Sequence, residues 1–201
     1  MHAEGRAMPG KLENGGEGSA SPWRTAAWAA VVALILLIPL VAMQFSDEWN
    51  WDLFDFIFAG TLLLGAALVY ELVAKKGGTT AYRAAVGVAV ATALVLVWVN
   101  AAAGIIGDDE SFNLMYFGVL AIGITGALVA RFQPQGMARA LLAMATAQML
   151  VPLIVLAIPN LRGALWEPPG PVGVFVLNAF FAALWIGSAL LFRKAAHRRA
   201  A

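Results

Sequence analysis

Two carboxylates stand three residues apart, Asp52 and Asp55, at the start of the apolar run in WNWDLFDFIFAG. Such a pair could carry a proton or cation, or act as acid and base on a lipid. The same spacing is typical of a helix start, with Asp52 as N-cap and Asp55 at the third helical position. That alternative accounts for Asp52, whereas Asp55 is a weaker fit than the usual Glu or Gln and stays a candidate for chemistry.

The other candidate polar residues are uncharged and fall within or near apolar runs. Asn100, Tyr116 and Asn178 lie in the outer half of their runs, and Gln148 lies nearer the middle. Together with Asp55 they could line an outward-facing vestibule that binds a small solute or an ion. Alternatively the amides tie helices together, since interhelical polar contacts contribute about 0.6 kcal/mol on average. We favour that structural interpretation for each amide.

Several kinds of chemistry are not expected from this sequence. It contains no cysteine and only two histidines, His2 and His197, which lie in the terminal segments. Thiolate or histidine metal sites and bis-histidine haem sites are therefore not expected in the apolar runs. His-Glu-x-x-His, Gly-x-Ser-x-Gly and phosphate-loop motifs are absent from the sequence. We expect no cofactor, no metal and no enzymatic activity.

The elements that would position these residues are membrane-spanning helices. Of the 201 residues, 61% are hydrophobic and 12% charged, against roughly 25% charged in soluble domains. A helix crossing ~30 Å of hydrocarbon needs about 20 apolar residues. Six runs reach that length: Trp23–Phe45, Leu53–Val73, Tyr82–Ile106, Phe112–Phe132, Met137–Ile158 and Val172–Phe192. We therefore predict an all-α integral membrane bundle of six transmembrane helices over 23–192, in contact with the lipid bilayer.

The segments outside the runs set the predicted orientation. Residues 1–22 are Gly-rich with few large apolar side chains, which predicts a disordered tail, and 193–201 form a basic tail. All lysines and arginines except Arg162 fall on one side of the predicted membrane. The positive-inside rule then places both termini in the cytoplasm. The small basic clusters beside the spans suit anionic lipid head groups better than nucleic acid.

Tryptophan positions and small residues give further expectations. Most tryptophans lie near the ends of runs, as in an interfacial belt, but Trp185 falls at hydrocarbon depth, where it faces lipid or packs against a helix. Small residues four apart, such as Ala85-Ala89-Ala93, favour close helix packing within the chain, in a homo-oligomer or against a partner membrane protein.

A glycine recurs at an interval of 61 residues, at Gly65, Gly126 and Gly187, each in the second helix of a predicted hairpin and each followed by a small residue. This pattern could mark a threefold duplication of a helical hairpin. Gly and Ala are common enough in this chain for such matches to arise by chance, so both interpretations stay open.

The run LMYFGVLAIGITGALVARFQPQGMARAL, with DLFDFIFAG and YRAAVG upstream, resembles a group of small six-helix bacterial inner-membrane proteins. The similarity extends roughly from Glu48 to Ile158 and includes no motif tied to a known activity. It implies a bacterial inner-membrane setting, and no site residue is carried over from it.

Three functional hypotheses follow. The first is a small-solute or ion transporter or channel subunit that uses Asp55 and the outer polar residues. The second is a non-catalytic scaffold or accessory subunit that packs against a partner membrane protein. The third, an intramembrane enzyme acting on lipid, rests only on the carboxylates of Asp52 and Asp55.

Overall fold

A computed structural model of the protein describes residues 22–45, 50–106, 113–159 and 162–200. Its helices are α1 (Pro22–Ala42), α2 (Leu53–Ala74), α3 (Thr80–Ala103), α4 (Met115–Val129), α5 (Pro134–Ala157) and α6 (Gly170–Ala200), with a 3₁₀ turn at Arg162–Trp166. The predicted all-α class is confirmed. The predicted tail over 1–22, apart from Pro22, and the predicted fourth-span start at Phe112 lie outside the described residues.

Four of the helices, α2, α3, α5 and α6, are each long and apolar enough to cross a membrane. Helix α4 and the stretch Ala26–Ala42 of α1 are shorter apolar helices. The structure is thus compatible with a membrane protein, and the six spans stay a prediction. At the other end of the chain, α6 continues through residues 193–200, which the sequence assigned to a basic tail.

Helix starts follow from local residue choice. Asp52 caps α2, and the Thr79 hydroxyl accepts a hydrogen bond from the backbone N–H of Tyr82 to cap α3 at 3.2 Å. Pro134 occupies the first turn of α5, where a missing N–H costs nothing. These starts fix where each apolar run becomes helical.

The chain divides into two units, Met1–Trp51 and Asp52–Ala201. In the first, the described helix is α1, an apolar helix with Pro39 inside it. In the second, the most extensive helix contact is between α5 and α6, followed by α3 with α6, α4 with α5, and α2 with α3. By these contacts the helices follow one another in the order α2, α3, α6, α5, α4, and α3 also makes a smaller contact with α4.

Glycine allows a close contact between α4 and α5. A Cβ added to Gly126 of α4 would lie 2.5 Å from the Cβ of Ala140 of α5, closer than two methyl groups can approach. Gly65 and Gly187, which share the 61-residue spacing, have open space where a Cβ would point. The three glycines therefore do not share one packing role, and the proposed duplication stays a prediction.

The turn between α4 and α5 has an unusual backbone. Arg131 and Phe132 both have positive φ angles, 48° and 60°, a conformation that costs a non-glycine residue roughly 1–2 kcal/mol. The Phe132 N–H donates to the Ala127 carbonyl at 3.1 Å, closing the end of α4. The Tyr82 hydroxyl donates to the Phe132 carbonyl at 2.9 Å. This second bond ties the turn to the start of α3.

Candidate functional site

Asp52 and Asp55 form a reciprocal capping box at the start of α2. The Asp55 N–H donates to Asp52 Oδ1 at 3.0 Å, and the Asp52 N–H donates to Asp55 Oδ2 at 2.9 Å. Both carboxylates also lie at the positive end of the helix dipole. The helix start inferred from the spacing is confirmed. Asp52 is exposed and Asp55 only partly buried, so neither carboxylate belongs to the buried interior.

Asn100 lies at the end of α3 and serves the loop that follows. Its Nδ2 donates to the Asn113 carbonyl at 3.2 Å. The Asn113 side-chain oxygen in turn accepts from the N–H groups of Ile105 and Ile106 at 2.8 and 3.1 Å. These bonds satisfy buried backbone donors that have no helical partner. The hydrogen bond of Asn100 thus goes to the loop and not to Tyr116, Gln148 or Asn178.

The remaining three candidates meet in the interior of the second unit. Asn178 of α6 donates through Nδ2 to the Tyr116 hydroxyl of α4 at 3.0 Å and to the Val174 carbonyl at 2.8 Å. Gln148 of α5 donates through Nε2 to Asn178 Oδ1 at 3.0 Å. Tyr116, Gln148 and Asn178 are each at most 1% exposed. One polar network therefore joins three helices.

Trp185 extends this network, and the sequence did not mark it as a site residue. Its indole N–H points to Gln148 Oε1 at 3.4 Å, and the side chain is 1% exposed. Of the two environments expected for a tryptophan at hydrocarbon depth, packing against a helix is confirmed. Its position inside an apolar run, unlike the other tryptophans, was the available signal. We call Tyr116, Gln148, Asn178 and Trp185 the buried network.

The buried network consists of uncharged side chains that link helices. The buried polar residues of the described chain are all uncharged: Thr92, Asn113, Gln148, Asn178 and Ser188. In the same part of the chain, every buried side-chain nitrogen and oxygen has a hydrogen-bond partner. The described residues contain no group of three or more His, Cys, Asp or Glu side chains that could hold a metal ion. A satisfied network of neutral side chains fixes the positions of the helices that it joins.

The second unit contains a long groove among its described residues. It has a volume of about 970 Å³ and runs along α2, α3, α4 and α5. On the α2 side its wall extends from Phe58 to Lys76. Helix α2 ends at Ala74, so the helical part of this wall rises about 24 Å at 1.5 Å per residue. That length is close to the ~30 Å hydrocarbon thickness of a bilayer.

The wall of the groove is almost entirely apolar. The polar side-chain groups among its lining residues belong to Thr61, Lys76 and the indole of Trp185. Small residues, including Gly65, Ala89 and Ala93, widen it next to α2 and α3. None of Asp55, Asn100, Tyr116, Gln148 and Asn178 lines the groove. Trp185 alone belongs to both features, because it lines the groove and bonds to Gln148.

No protein-family model, no curated protein and no solved structure matches this chain. The buried network and the groove are therefore the features of the molecule that bear on its function.

Proposed function

We propose that this chain is a non-catalytic accessory protein of the bacterial inner membrane that binds a hydrophobic molecule from the bilayer in the groove. In this proposal it has six spans and both termini in the cytoplasm, as the apolar runs and the basic residues suggest. The single observation that supports the binding function is the groove, which is apolar and about as long as the hydrocarbon layer is thick.

The shape of the groove suits an acyl chain. A partner helix is rigid and about 10–12 Å in diameter, so it would lie against the groove with only part of its circumference. A flexible hydrocarbon chain is narrower and can follow the apolar wall along its length.

The buried network supports this function by fixing the walls. It links α4, α5 and α6 through Tyr116, Gln148 and Asn178, and its last member, Trp185, faces the groove. Because its bonds lie in a low-dielectric interior, they hold their geometry without competition from water. The groove is then formed before a ligand arrives, as is usual for small-molecule sites.

An ion or small-solute path through Asp55 has less support. The Asp55 carboxylate accepts its bond from the capping box, and the groove begins at Phe58. The buried polar side chains of the described residues carry no charge. A transporter of the first hypothesis would use a polar cavity that includes Asp55, and the groove lacks it.

Contact quenching of tryptophan fluorescence tests the proposal. The protein is reconstituted in phosphatidylcholine vesicles whose acyl chains carry bromine. The contribution of Trp185 to the fluorescence is obtained by subtracting the fluorescence of the Trp185→Phe variant. We expect bromine to quench Trp185, although its side chain is 1% exposed overall, because it lines the groove. In Gly65→Phe, a bulky ring enters the groove from α2, and the quenching of Trp185 should fall at least severalfold.

A matched control comes from Gly118 of α4. Like Gly65, it has open space where a Cβ would point, but it does not line the groove. Gly118→Phe should leave the quenching of Trp185 at the wild-type value. Equal quenching in Gly65→Phe and the wild type would show that bromine reaches Trp185 by another route. Absence of Trp185 quenching in the wild type would rule out an acyl chain in the groove.

A further inference from the structure

One end of the groove is cationic. Lys76 is the last residue of its α2 side, and its Nζ lies 5.0 Å from the centroid of the Phe132 ring, which also lines the groove. Lys75 and Arg131 stand beside these two residues in the chain and are exposed. The groove therefore changes from hydrocarbon-like walls to a positively charged rim at this end.

The strained α4–α5 turn positions this rim. Arg131 and Phe132 adopt positive φ angles, and the Tyr82 hydroxyl holds the Phe132 carbonyl at 2.9 Å. The turn thereby places the Phe132 ring under the Lys76 ammonium. A cation–π contact of this kind restrains the ammonium at the mouth of the groove. An ammonium carries three N–H donors, so it can meet a phosphate oxygen as well as the ring.

We propose that the groove binds an anionic phospholipid, with its phosphate group at Lys76 and an acyl chain extending toward Trp185. This inference rests on the proposed function and names its ligand. An apolar wall that ends in a cation complements a molecule with a hydrocarbon chain and a negatively charged head group. The rim also lies on the side predicted to be cytoplasmic, where basic residues near the membrane attract anionic lipids.

Head-group selectivity tests this inference. Brominated phosphatidylglycerol is titrated into phosphatidylcholine vesicles that contain the protein, and brominated phosphatidylcholine is titrated into phosphatidylglycerol vesicles. The quenching of Trp185 in the two series gives the relative affinity of the groove for the two lipids. We expect phosphatidylglycerol to be preferred by about fivefold in the wild type, in line with one basic residue near an anionic head group.

Neighbouring lysines supply the matched variants. Lys76→Gln should remove the preference for phosphatidylglycerol, whereas Lys76→Arg, which keeps the charge, should retain it. Lys75→Gln should also retain it, because Lys75, unlike Lys76, does not line the groove. If Lys75→Gln lowered the preference as much as Lys76→Gln, the attraction would belong to the whole basic surface, and the site at Lys76 would be refuted.

The outcomes separate the two proposals. Equal quenching of wild-type Trp185 by the two lipids would overturn the anionic-lipid inference and leave a groove that binds acyl chains. Absence of Trp185 quenching with both lipids would overturn the proposed function together with its ligand.

Discussion

At the scale of single residues, Asp55 shows how a carboxylate in an apolar run can be used locally. Its side chain accepts the N–H of Asp52, and its own N–H donates to Asp52, so both ends of the pair are satisfied within one turn. Asp55 lies near the helix end and is only partly buried, so placing its carboxylate there costs little free energy. No bound ion or substrate is needed to offset that cost.

Substitution at the two aspartates separates capping from transport. Asp52→Ala should lower the free energy of unfolding by about 0.5–2 kcal/mol, since it removes the N-cap acceptor. Asp55→Glu should be nearly neutral, because Glu is the usual residue at the third position of a capping box. Unfolding in detergent, followed by circular dichroism, measures both. A loss of proton or cation flux in Asp55→Glu vesicles with unchanged stability would instead assign Asp55 to transport.

The sequence predicted the candidate residues better than their arrangement. Polar residues in apolar runs are visible in the sequence, and three of those chosen, Tyr116, Gln148 and Asn178, do meet. Asn100 belongs to a loop because its partner is Asn113, and Asp55 belongs to a cap. Depth in the membrane follows from position along a helix, but the direction in which a side chain points depends on neighbouring helices.

At the scale of helices, the predicted runs agree well with the structure where local signals act. The second run, predicted as Leu53–Val73, becomes α2 at Leu53–Ala74, since Asp52 provides the cap. Helix α4 ends at Val129, before the predicted Phe132, because Arg131 and Phe132 adopt left-handed conformations that end a helix. Hydropathy does not detect such a turn, so the apolar run predicted a helix that extends too far at this end.

The buried network should contribute measurably to holding α4, α5 and α6 together. Asn178→Leu removes three hydrogen bonds, to Tyr116, Gln148 and Val174, and leaves polar groups buried without partners. We expect the free energy of unfolding to fall by about 1–3 kcal/mol. Denaturant titration in detergent provides the measurement.

Thr146 offers the control for this substitution. It is exposed, and its hydroxyl bonds only to the Leu142 carbonyl of its own helix at 3.1 Å. Thr146→Val should therefore change the free energy of unfolding by no more than about 0.5 kcal/mol. Equal losses for the Thr146 and Asn178 variants would mean that the interhelical bonds add nothing beyond local effects.

At the scale of the whole molecule, the order of helices in the second unit could not be read from the sequence. Helices that are apolar on all sides show no stripe to distinguish a lipid-facing surface from a packed one. The order α2, α3, α6, α5, α4 depends instead on particular contacts, such as the Ser188 hydroxyl donating to the Ala85 carbonyl at 2.8 Å. The groove is lined by residues of α2, α3, α4 and α5, so it could not be predicted without their arrangement.

The six-span topology can be tested because the chain contains no cysteine, so each introduced cysteine is the only label site. Six spans place Lys75 in the cytoplasm and Gly163 outside. We expect an impermeant maleimide to label Gly163→Cys in right-side-out vesicles and Lys75→Cys only after permeabilisation. Both positions are exposed.

The comparison of these two positions is decisive for α4. This helix has 15 residues, whereas about 20 cross a bilayer without adjustment. If α4 does not cross, α5 runs in the opposite direction, and Gly163 falls on the same side as Lys75. Labelling of both cysteines from one side would therefore refute six spans. Labelling from opposite sides shows that α4 crosses, and a short helix in a full bilayer then implies local thinning or packing against neighbouring helices.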